Sequence, residues 1–273
     1  MGSVLNMFEL TGRAAVVTGG AGLLGGEFCR ALGEAGASVV VADRIGEAAR
    51  ATAAHLSADG LRTLAVETDI TSPDSVAELM RACRAAFGRL DILVNSAALD
   101  PKFDREHSDR PAGAFEDFPL EAWNAALAVN LTGSFLCAQA AAPVMLEQGR
   151  GSIINLCSTY GLVGPDQRIY ERPGEAPRFK PVYYSVTKAG ILGLTRYLAT
   201  YYGGKGIRVN ALTPGGVFND HDETFVRNYS ARTVLGRMAR KDEMSGALLF
   251  LASEASSYMT GANLVVDGGW TAW

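Results

Sequence analysis

The chain has 273 residues, of which 48% are hydrophobic and 20% are charged, and its formal net charge is −4. This composition is typical of a globular protein that buries a large core, and the length suits one large domain or two average ones. The small negative charge provides no basic surface for nucleic acid. Gly, Arg, Asp and Asn interrupt every apolar run before the roughly 18 residues that a membrane span needs, so no membrane partner is expected.

The N-terminus and the cysteines indicate the compartment. The first residues, MGSVLNMFELTGR, lack a basic segment followed by an apolar one, so a secretory signal is not predicted. The four cysteines, Cys29, Cys83, Cys137 and Cys157, have neither paired nor metal-like spacing. We expect buried free thiols in a reducing cytoplasm.

Short β-branched runs alternate with longer helical patterns along the chain. Strands are predicted at 14–19, 37–43, 63–69, 91–97, 151–158, 207–215 and 263–267. Helices are predicted between them, including a long one across 120–148, one across 183–203 and one near 241–253. The helix after the third strand has Ser72 as its N-cap and Pro73 at its first position.

The strands are continuous apolar runs, as expected when helices cover both faces of a parallel sheet. The alternation predicts one α/β domain over 1–273, with a doubly wound, mostly parallel seven-stranded sheet of the Rossmann type. Two stretches break the alternation, at 99–119 and at 162–182, and loops of that length are usually functional or disordered.

A glycine-rich turn, VTGGAGLLGG, connects the first strand to the first helix. Its glycines allow a tight turn and close approach to a pyrophosphate, which the free N–H groups of the helix start can bind. Asp43 ends the second strand 18 residues after Gly25, the spacing of a carboxylate that binds a ribose diol. It would repel a 2′-phosphate, so NAD is predicted over NADP, although Arg44 could accept that phosphate and Asp43 could be a helix cap.

The stretch VYYSVTK, residues 182–188, places two tyrosines ahead of one lysine. Residues four apart share a helix face, so Tyr184 faces Lys188 and Tyr183 does not. A nearby ammonium lowers the pKa of a phenol from its usual value near 10, and such a pair can exchange a proton near neutrality. A surface helix turn would show the same spacing, so the interpretation depends on the other motifs.

Together, these motifs resemble the short-chain dehydrogenase/reductase superfamily over nearly the whole chain. They include the glycine-rich turn, Asp69 after the third strand, NSAA at 95–98, Asn130 in the long helix, Ser158 at a strand end, Tyr184 with Lys188, and PGG at 214–216. The resemblance implies an NAD(P)-dependent oxidoreductase acting on a CH–OH or C=O group. In such enzymes the cofactor transfers the hydride, and the protein supplies orientation and a proton.

The resemblance implies a role for each matching residue. Tyr184 would be the general acid/base, Lys188 would lower its pKa and hold the nicotinamide ribose, and Ser158 would bind the substrate oxygen. Asn130 would place a water that links Lys188 to solvent, unless it is a core residue that distorts the helix, and Ser158 could be a strand-end cap. Further cofactor contacts are implied for Gly19, Gly22, Leu24, Gly25, Asp43, Arg44, Asp69, Ile70, Asn95, Ala97, Pro214, Gly215, Val217 and Asn219.

Three features depart from the family pattern. Leu23 occupies the middle glycine position of compact members, and the glycines are spaced by threes, as in a longer branch with an extra C-terminal domain. The chain ends at Trp273 after its last strand, so the compact branch is expected. Asn219 replaces a common threonine, and the gap of 26 residues between Ser158 and Tyr184 is about twice the usual one, which indicates an insertion.

The inserted segment suggests the substrate. It carries four Arg or Lys residues with the rings of Tyr170 and Phe179, which suits a polar, anionic, sugar-like substrate. Arg168 and Tyr170 are predicted to bind it, Arg168 because it lies nearest Ser158 in sequence. A solvated loop with balanced charges is the alternative interpretation of this segment.

Other functions stay open. A ketoreductase of an acyl-thioester or steroid-like substrate would fit the same motifs, and a non-catalytic NAD-binding regulator would keep the fold alone. The acidic stretch NDHDETF, 219–225, could suggest a metal site, but adjacent residues rarely converge on one ion. We expect no metal there and a mobile polar lid over the cofactor.

Compact family members usually associate through the tyrosine-bearing helix and the long helix before it. The first of these helices carries apolar side chains beyond those that one sheet contact needs, namely Leu192, Leu194, Leu198 and Tyr201. A homotetramer is therefore expected, with a small-molecule substrate as the other partner.

Overall fold

The computed structural model describes residues 3–100, 113–172 and 174–273. One sheet contains the strands β1 (Ala14–Thr18), β2 (Ser38–Asp43), β3 (Thr63–Glu67), β4 (Ile92–Asn95), β5 (Gly151–Leu156), β6 (Ile207–Pro214) and β7 (Asn263–Val266). Their order is β3-β2-β1-β4-β5-β6-β7, and every pairing between neighbours is parallel. The predicted seven-stranded sheet is confirmed, and each observed strand lies inside its predicted range.

Helices cover the sheet on both faces. They are α1 (Leu23–Glu34), α2 (Gly46–Ala58), α3 (Pro73–Phe87), α4 (Leu120–Leu127), α5 (Ser134–Gln148), α6 (Val182–Tyr201), α7 (Glu223–Ser230) and α8 (Ser245–Ala252). Successive residues of β1 point to opposite faces, so Val16 packs in the core with α3, α5 and α6, and Val17 in the core with α1, α2 and α8. This is the doubly wound arrangement that the apolar strands predict.

The start of α3 and the state of the four cysteines are two local features that the sequence predicts. Ser72 caps α3 by accepting a hydrogen bond from the backbone N–H of Ser75 at 3.4 Å, and Pro73 is the first residue of that helix. The four cysteines are free and buried. Both features agree with the sequence analysis.

The long helix predicted across 120–148 is interrupted. A π-helical turn at Ala128–Gly133 separates α4 from α5, and Asn130 lies in it, almost fully buried. The Asn130 amide accepts a hydrogen bond from Leu99 N at 2.6 Å and donates one to Leu99 O at 3.1 Å. These bonds hold the turn against the segment after β4, and π-turns of this kind are frequent at functional sites.

The same stretch, Leu120–Gln148, is long and apolar enough to cross a membrane by length and composition, with a mean hydropathy of 1.4. No such run was expected from the sequence, because polar residues interrupt the stretch, but its average hydropathy is high despite them. In the structure 44% of the apolar window is buried inside the protein, and core helices of globular proteins pass the same test.

Short helical turns occur in the remaining segments, beyond what the sequence predicts. The region predicted as a helix near 241–253 is a 3₁₀ turn at Lys241–Met244 followed by α8. The expected polar lid contains α7, whose N-cap is Asp222. Of the long loops, 101–112 lies outside the described residues, whereas the inserted segment contains a 3₁₀ turn at Gln167–Tyr170 and ends where α6 begins.

The glycine-rich turn requires glycine at two positions, whereas a third position tolerates a side chain. A Cβ at Gly25 would lie 2.0 Å from the carbonyl oxygen of Gly19, because α1 begins directly against the turn. Gly19 has φ = 65° and its Cβ would lie 2.8 Å from Ala97 Cα. Leu23, at the middle position, is 38% exposed as the first residue of α1, so the turn accommodates a side chain there.

We predict that Gly25→Ala lowers the free energy of unfolding by about 1–3 kcal/mol, because the added methyl must displace the Gly19 carbonyl. Gly26→Ala is the matched control, since its Cβ would meet no atom closer than 3.9 Å. It should leave stability unchanged or raise it by up to about 1 kcal/mol. Urea unfolding followed by circular dichroism measures both, and equal destabilisation by the two variants would contradict this account.

Candidate active site

A cavity of about 950 Å³ opens where the carboxyl ends of the strands meet. This is the edge where doubly wound sheets bind ligands. Most of the predicted site residues line it, namely Gly19, Gly22, Leu24, Gly25, Asp43, Arg44, Asp69, Ile70, Ala97, Ser158, Tyr170, Tyr184, Lys188, Pro214, Gly215, Val217 and Asn219. Asn95, Asn130 and Arg168 are described residues that do not line it.

The two neighbouring tyrosines of α6 point in different directions. Tyr183 is buried and packs against Phe118, with ring centroids 5.6 Å apart. Tyr184 lines the cavity, and the Lys188 ammonium lies 5.8 Å from the centroid of its ring. The four-residue spacing thus places Tyr184 and Lys188 together at the cavity, and Lys188 Nζ also donates to the Leu156 carbonyl at 2.8 Å.

The electrostatics of this pair differ from the expectation. Burial raises the pKa of Tyr184 well above its usual value, Asp100 raises it further, and a hydrogen bond with Ser158 opposes them. Burial also lowers the pKa of Lys188. The pKa of Tyr184 in this structure is therefore raised overall rather than lowered, because desolvation of the phenol outweighs the stabilisation that a neighbouring ammonium gives to the phenolate.

Ser158 combines the two roles that the sequence left open. Its side chain caps the 3₁₀ turn Thr159–Gly161 by accepting a hydrogen bond from Tyr160 N at 3.2 Å. The same hydroxyl bonds the Tyr184 side chain. It lies at the carboxyl end of β5 and lines the cavity beside Tyr184, so capping holds it in place to face a ligand oxygen.

Asn130 and Asn95 lie behind the cavity wall. Besides its bonds to Leu99, the Asn130 amide donates to Thr187 Oγ1 at 3.3 Å, so it ties the segment after β4 to α6. Asn95 is buried and donates to Ser134 O at 3.3 Å and to Asn155 Oδ1 at 2.8 Å. The predicted cofactor contact of Asn95 is therefore not made through the cavity lining, since its side chain is directed into the protein.

The wall formed by the glycine-rich turn fits a dinucleotide. Gly22 is the N-cap of α1 and no side chain caps this helix, so its first N–H groups are available at the cavity. The Asp43 carboxylate accepts hydrogen bonds from Ala21 N at 3.2 Å and from Ile45 N at 3.1 Å. A carboxylate has about four acceptor positions, so two remain for a ribose diol. Arg44 lines the cavity next to it.

The remaining predicted cofactor residues lie on either side of this turn. The Asp69 carboxylate accepts hydrogen bonds from Thr71 N and Thr71 Oγ1, which lower its pKa. Ile70 beside it is buried against Gly133. Asn219, which also lines the cavity, donates its backbone N–H to the His221 ring at 3.1 Å.

The inserted segment lines the cavity with cations, but Arg168 is not among them. The Arg168 side chain is 75% exposed and makes two hydrogen bonds of 2.8 Å to Asp166. The position predicted for Arg168 is therefore wrong, because the Asp166 carboxylate holds its guanidinium outside the cavity. Arg172, Arg178 and Lys180 line the cavity instead, with side chains 14%, 11% and 10% exposed.

Each of these cations has an acidic partner. Arg172 pairs with Asp222 at 2.6 Å, Arg178 with Glu175 at 2.9 Å, and Lys180 with Asp100. Because Asp222 is the N-cap of α7, the Arg172 pair joins the inserted segment to that helix. The two elements together cover one side of the cavity.

Aromatic side chains that the sequence did not predict form one wall of the cavity, called here the aromatic wall. Tyr160, Phe225 and Tyr229 line the cavity with Tyr170, and the Tyr170 hydroxyl donates to the Tyr160 hydroxyl at 3.0 Å. Phe225 and Tyr229 are four residues apart on α7, a spacing that, with Asp222 as N-cap, could have predicted this helix.

The acidic stretch at 219–225 is used for structure. His221 stacks on Phe225 with ring centroids 4.8 Å apart, and Asp222 caps α7 and pairs with Arg172. Among the described residues, no group of three or more His, Cys, Asp or Glu side chains is placed to hold a metal ion.

Residues 21–271 match the family model described as enoyl-(acyl carrier protein) reductase. The chain is 38% identical to cis-4-hydroxycyclohexanecarboxylate dehydrogenase of Sinomonas cyclohexanicum, over 95% of this chain and 97% of that protein. It is 36% identical to D-threitol dehydrogenase of Mycolicibacterium smegmatis, over 97% and 95% of the two chains.

A solved structure gives the same assignment. The gluconate 5-dehydrogenase from Burkholderia cenocepacia, in complex with NADP and tartrate, is 31% identical and superposes with a TM-score of 0.86 over 99% of this chain and all of that one. Three findings point to the same family: the matching family model, the related sequences and the similar fold. They agree with the order of the motifs along the chain, and most of the motif residues line the cavity. The chain belongs to the short-chain dehydrogenase/reductase superfamily and is an NAD(P)-dependent oxidoreductase that acts on a CH–OH or C=O group.

Proposed function

We propose that the chain interconverts a secondary alcohol and a ketone on a polar, carboxylate-bearing substrate such as a sugar acid or a cyclic hydroxy acid, with NAD as cofactor. The observation that carries this proposal is the set of three cations, Arg172, Arg178 and Lys180, that line the cavity holding Tyr184. Guanidinium groups bind carboxylates through two parallel hydrogen bonds, which supports a carboxylate on the substrate.

The aromatic wall would bind the apolar faces of the substrate. Tyr160 lies edge-on to Tyr184, with ring centroids 6.4 Å apart, and Tyr170 and Phe225 continue the wall toward Arg172. Aromatic faces pack against the C–H groups of a sugar or cyclohexane ring, while the cations bind its carboxylate. The names of the relatives agree with this class, since they include dehydrogenases of hydroxycyclohexanecarboxylate and of gluconate.

The residues around Tyr184 suit proton transfer. Tyr184 exchanges a proton with the substrate oxygen, and Ser158, which bonds the Tyr184 side chain, holds that oxygen beside it. Lys188 stabilises the phenolate form and holds the nicotinamide ribose, and Asn130 fixes α6 against the segment after β4 and places the water that links Lys188 to solvent. The nicotinamide supplies or accepts the hydride when bound.

We infer NAD as the preferred nucleotide, since the Asp43 carboxylate lies at the glycine-rich turn where a 2′-phosphate would be repelled. Arg44 could instead favour NADP by binding its 2′-phosphate, and a related gluconate dehydrogenase structure carries NADP. The expected homotetramer stays a prediction. Leu192 and Leu198, two of the side chains on which it was based, are buried in the chain's own core, whereas the rings of Tyr197 and Tyr201 on α6 are exposed. A cytoplasmic location agrees with the four free thiols.

The second candidate is a ketoreductase of an acyl-thioester or steroid-like substrate. The aromatic wall with Met238 favours it, because an extended apolar ligand would bury against these side chains. This second candidate gives Arg172, Arg178 and Lys180 no part in binding the substrate. A substrate panel of sugar acids, cyclic hydroxy acids, uncharged polyols and hydroxysteroids, followed by NADH absorbance, separates the two candidates.

Tyr184→Phe should lower turnover by about 10²–10⁴-fold, the usual value of general acid/base catalysis, while nucleotide binding persists. Tyr183→Phe is the matched control and should keep most activity, because Tyr183 packs against Phe118 away from the cavity. Steady-state kinetics and nucleotide fluorescence quenching measure these effects. Comparable losses in both variants would refute the assignment of Tyr184.

For cofactor choice, kcat/KM with NAD should exceed that with NADP in the unmodified enzyme. Asp43→Asn should reduce the preference by weakening NAD and admitting NADP, and Arg44→Gln should weaken NADP alone. Equal use of both nucleotides, or a loss of NAD activity in Arg44→Gln, would show that Arg44 controls the site.

For the substrate, Arg178→Gln should raise KM for a carboxylate substrate at least tenfold, about 1.4 kcal/mol, and leave KM for an uncharged polyol unchanged. Arg168→Gln is the matched control, because it removes a neighbouring guanidinium that is exposed and paired with Asp166. An equal change of KM for charged and uncharged substrates would remove the proposed role of the cations.

A further inference from the structure

Lys180 holds a position that carboxylate binding alone does not explain. Its ammonium lies 4.1 Å from the centroid of the Tyr184 ring, closer than the 5.8 Å of Lys188. The Lys180 side chain is 10% exposed, although it comes from the inserted segment and not from the core. Two lysines, from separate parts of the chain, therefore face one phenol.

The backbone around Lys180 is clamped. Its N–H donates to Gln167 Oε1 at 2.8 Å, and Gln167 Nε2 donates back to the Lys180 carbonyl at 3.4 Å. This pair of bonds joins the two ends of the inserted segment and directs the side chain over Tyr184. The same ammonium is paired with Asp100, which follows β4.

We propose that Lys180 is a positioning residue for proton transfer, whose ammonium, balanced by Asp100, sets how readily the Tyr184 hydroxyl gives up its proton. The inference deepens the proposed function, on which it rests for the role of Tyr184. It assigns the insertion between Ser158 and Tyr184 a part in catalysis as well as in substrate binding.

The charged and titratable groups around Tyr184 determine in which direction each variant should shift the pKa of its phenol. Lys180 and Lys188 favour the phenolate, whereas Asp100 disfavours it. Cys157 and Tyr160 also face the phenol and act in the same direction as Asp100, and the Ser158 hydrogen bond opposes them. An opposite charge within about 4–6 Å shifts a pKa by roughly one unit or more, and the Lys180 ammonium lies 4.1 Å from the centroid of the Tyr184 ring.

The first test follows the pH dependence of kcat/KM for alcohol oxidation with an uncharged polyol, so that carboxylate binding does not contribute. Oxidation needs the phenolate, so the rate rises with pH through the pKa of Tyr184. Lys180→Met should move this rise to higher pH by about one unit, and Asp100→Asn should move it to lower pH. Lys180→Arg keeps the charge and should restore the parent profile.

Lys205→Met is the matched control. Lys205 lies 4.4 Å from the ring centroid of Tyr201, the same kind of contact at the far end of α6, and both variants remove one positive charge. A shift that is equal in Lys180→Met and Lys205→Met would show a general charge effect and overturn the proposal. Profiles that do not move in either Lys180→Met or Asp100→Asn would also overturn it.

A second measurement does not depend on turnover. Difluorotyrosine at position 184 ionises at lower pH than tyrosine, and its fluorine NMR signal follows the ionisation directly in the full-length enzyme. The same opposite shifts for Lys180→Met and Asp100→Asn are expected, and identical titrations in all backgrounds would refute the proposal.

If Tyr184→Phe kept full activity, the proposed function would fail while this titration still decided the role of Lys180. If Lys180→Met did not fold, the titration in Asp100→Asn would still decide it.

Discussion

Because β1 pairs in parallel with both β2 and β4, the carboxyl ends of these strands lie at one edge of the sheet and their loops meet there. The same holds for β5 and β6, which bring Ser158 and Pro214 to this edge. Residues distant in the chain, such as Asp43 and Val217, therefore line one cavity. The apolar faces of every strand make this possible, since helices must cover both sides of the sheet and leave only the strand ends for a ligand.

Helix α6 converts this edge into a reactive site. Its 3.6-residue period directs Tyr184 and Lys188 to the cavity and Tyr183 to Phe118. Desolvation then works against ionisation of both groups, raising the pKa of Tyr184 and lowering that of Lys188. A phenol in such a place needs further positive charge to act as a base near neutral pH, and the inserted segment brings one close through Lys180.

The inserted segment and α7 form one cover over the cavity. The Arg172–Asp222 pair connects them, and the rings of Tyr170 and Phe225 pack at 5.6 Å beneath it. Cations and aromatic rings thus line the same cavity as the glycine-rich turn. A substrate with a carboxylate and a compact ring or carbon chain would satisfy both kinds of group, which is why the proposed function names a hydroxy acid rather than an alcohol in general.

The strands, the cap of α3 and the glycine-rich turn could be predicted because each depends on residues adjacent in sequence: apolar runs, Ser72 before Pro73, and small residues at a tight turn. The pairing of Tyr184 with Lys188 could be predicted for the same reason, since helix period alone relates them. Their roles follow from the resemblance to the family, which rests on the order of the motifs along the chain.

Contacts between distant segments could not be predicted. The sequence placed Arg168 in the site because it is nearest to Ser158 along the chain, but Asp166 binds it outside, and Arg172, Arg178 and Lys180 enter instead. The inward turn of Asn95 and the π-turn at Asn130 likewise depend on partners more than thirty residues away. Sequence determined the sheet and the reactive pair through local pattern, whereas only the tertiary structure decided which charges face Tyr184, because those charges come from loops whose course local pattern does not set.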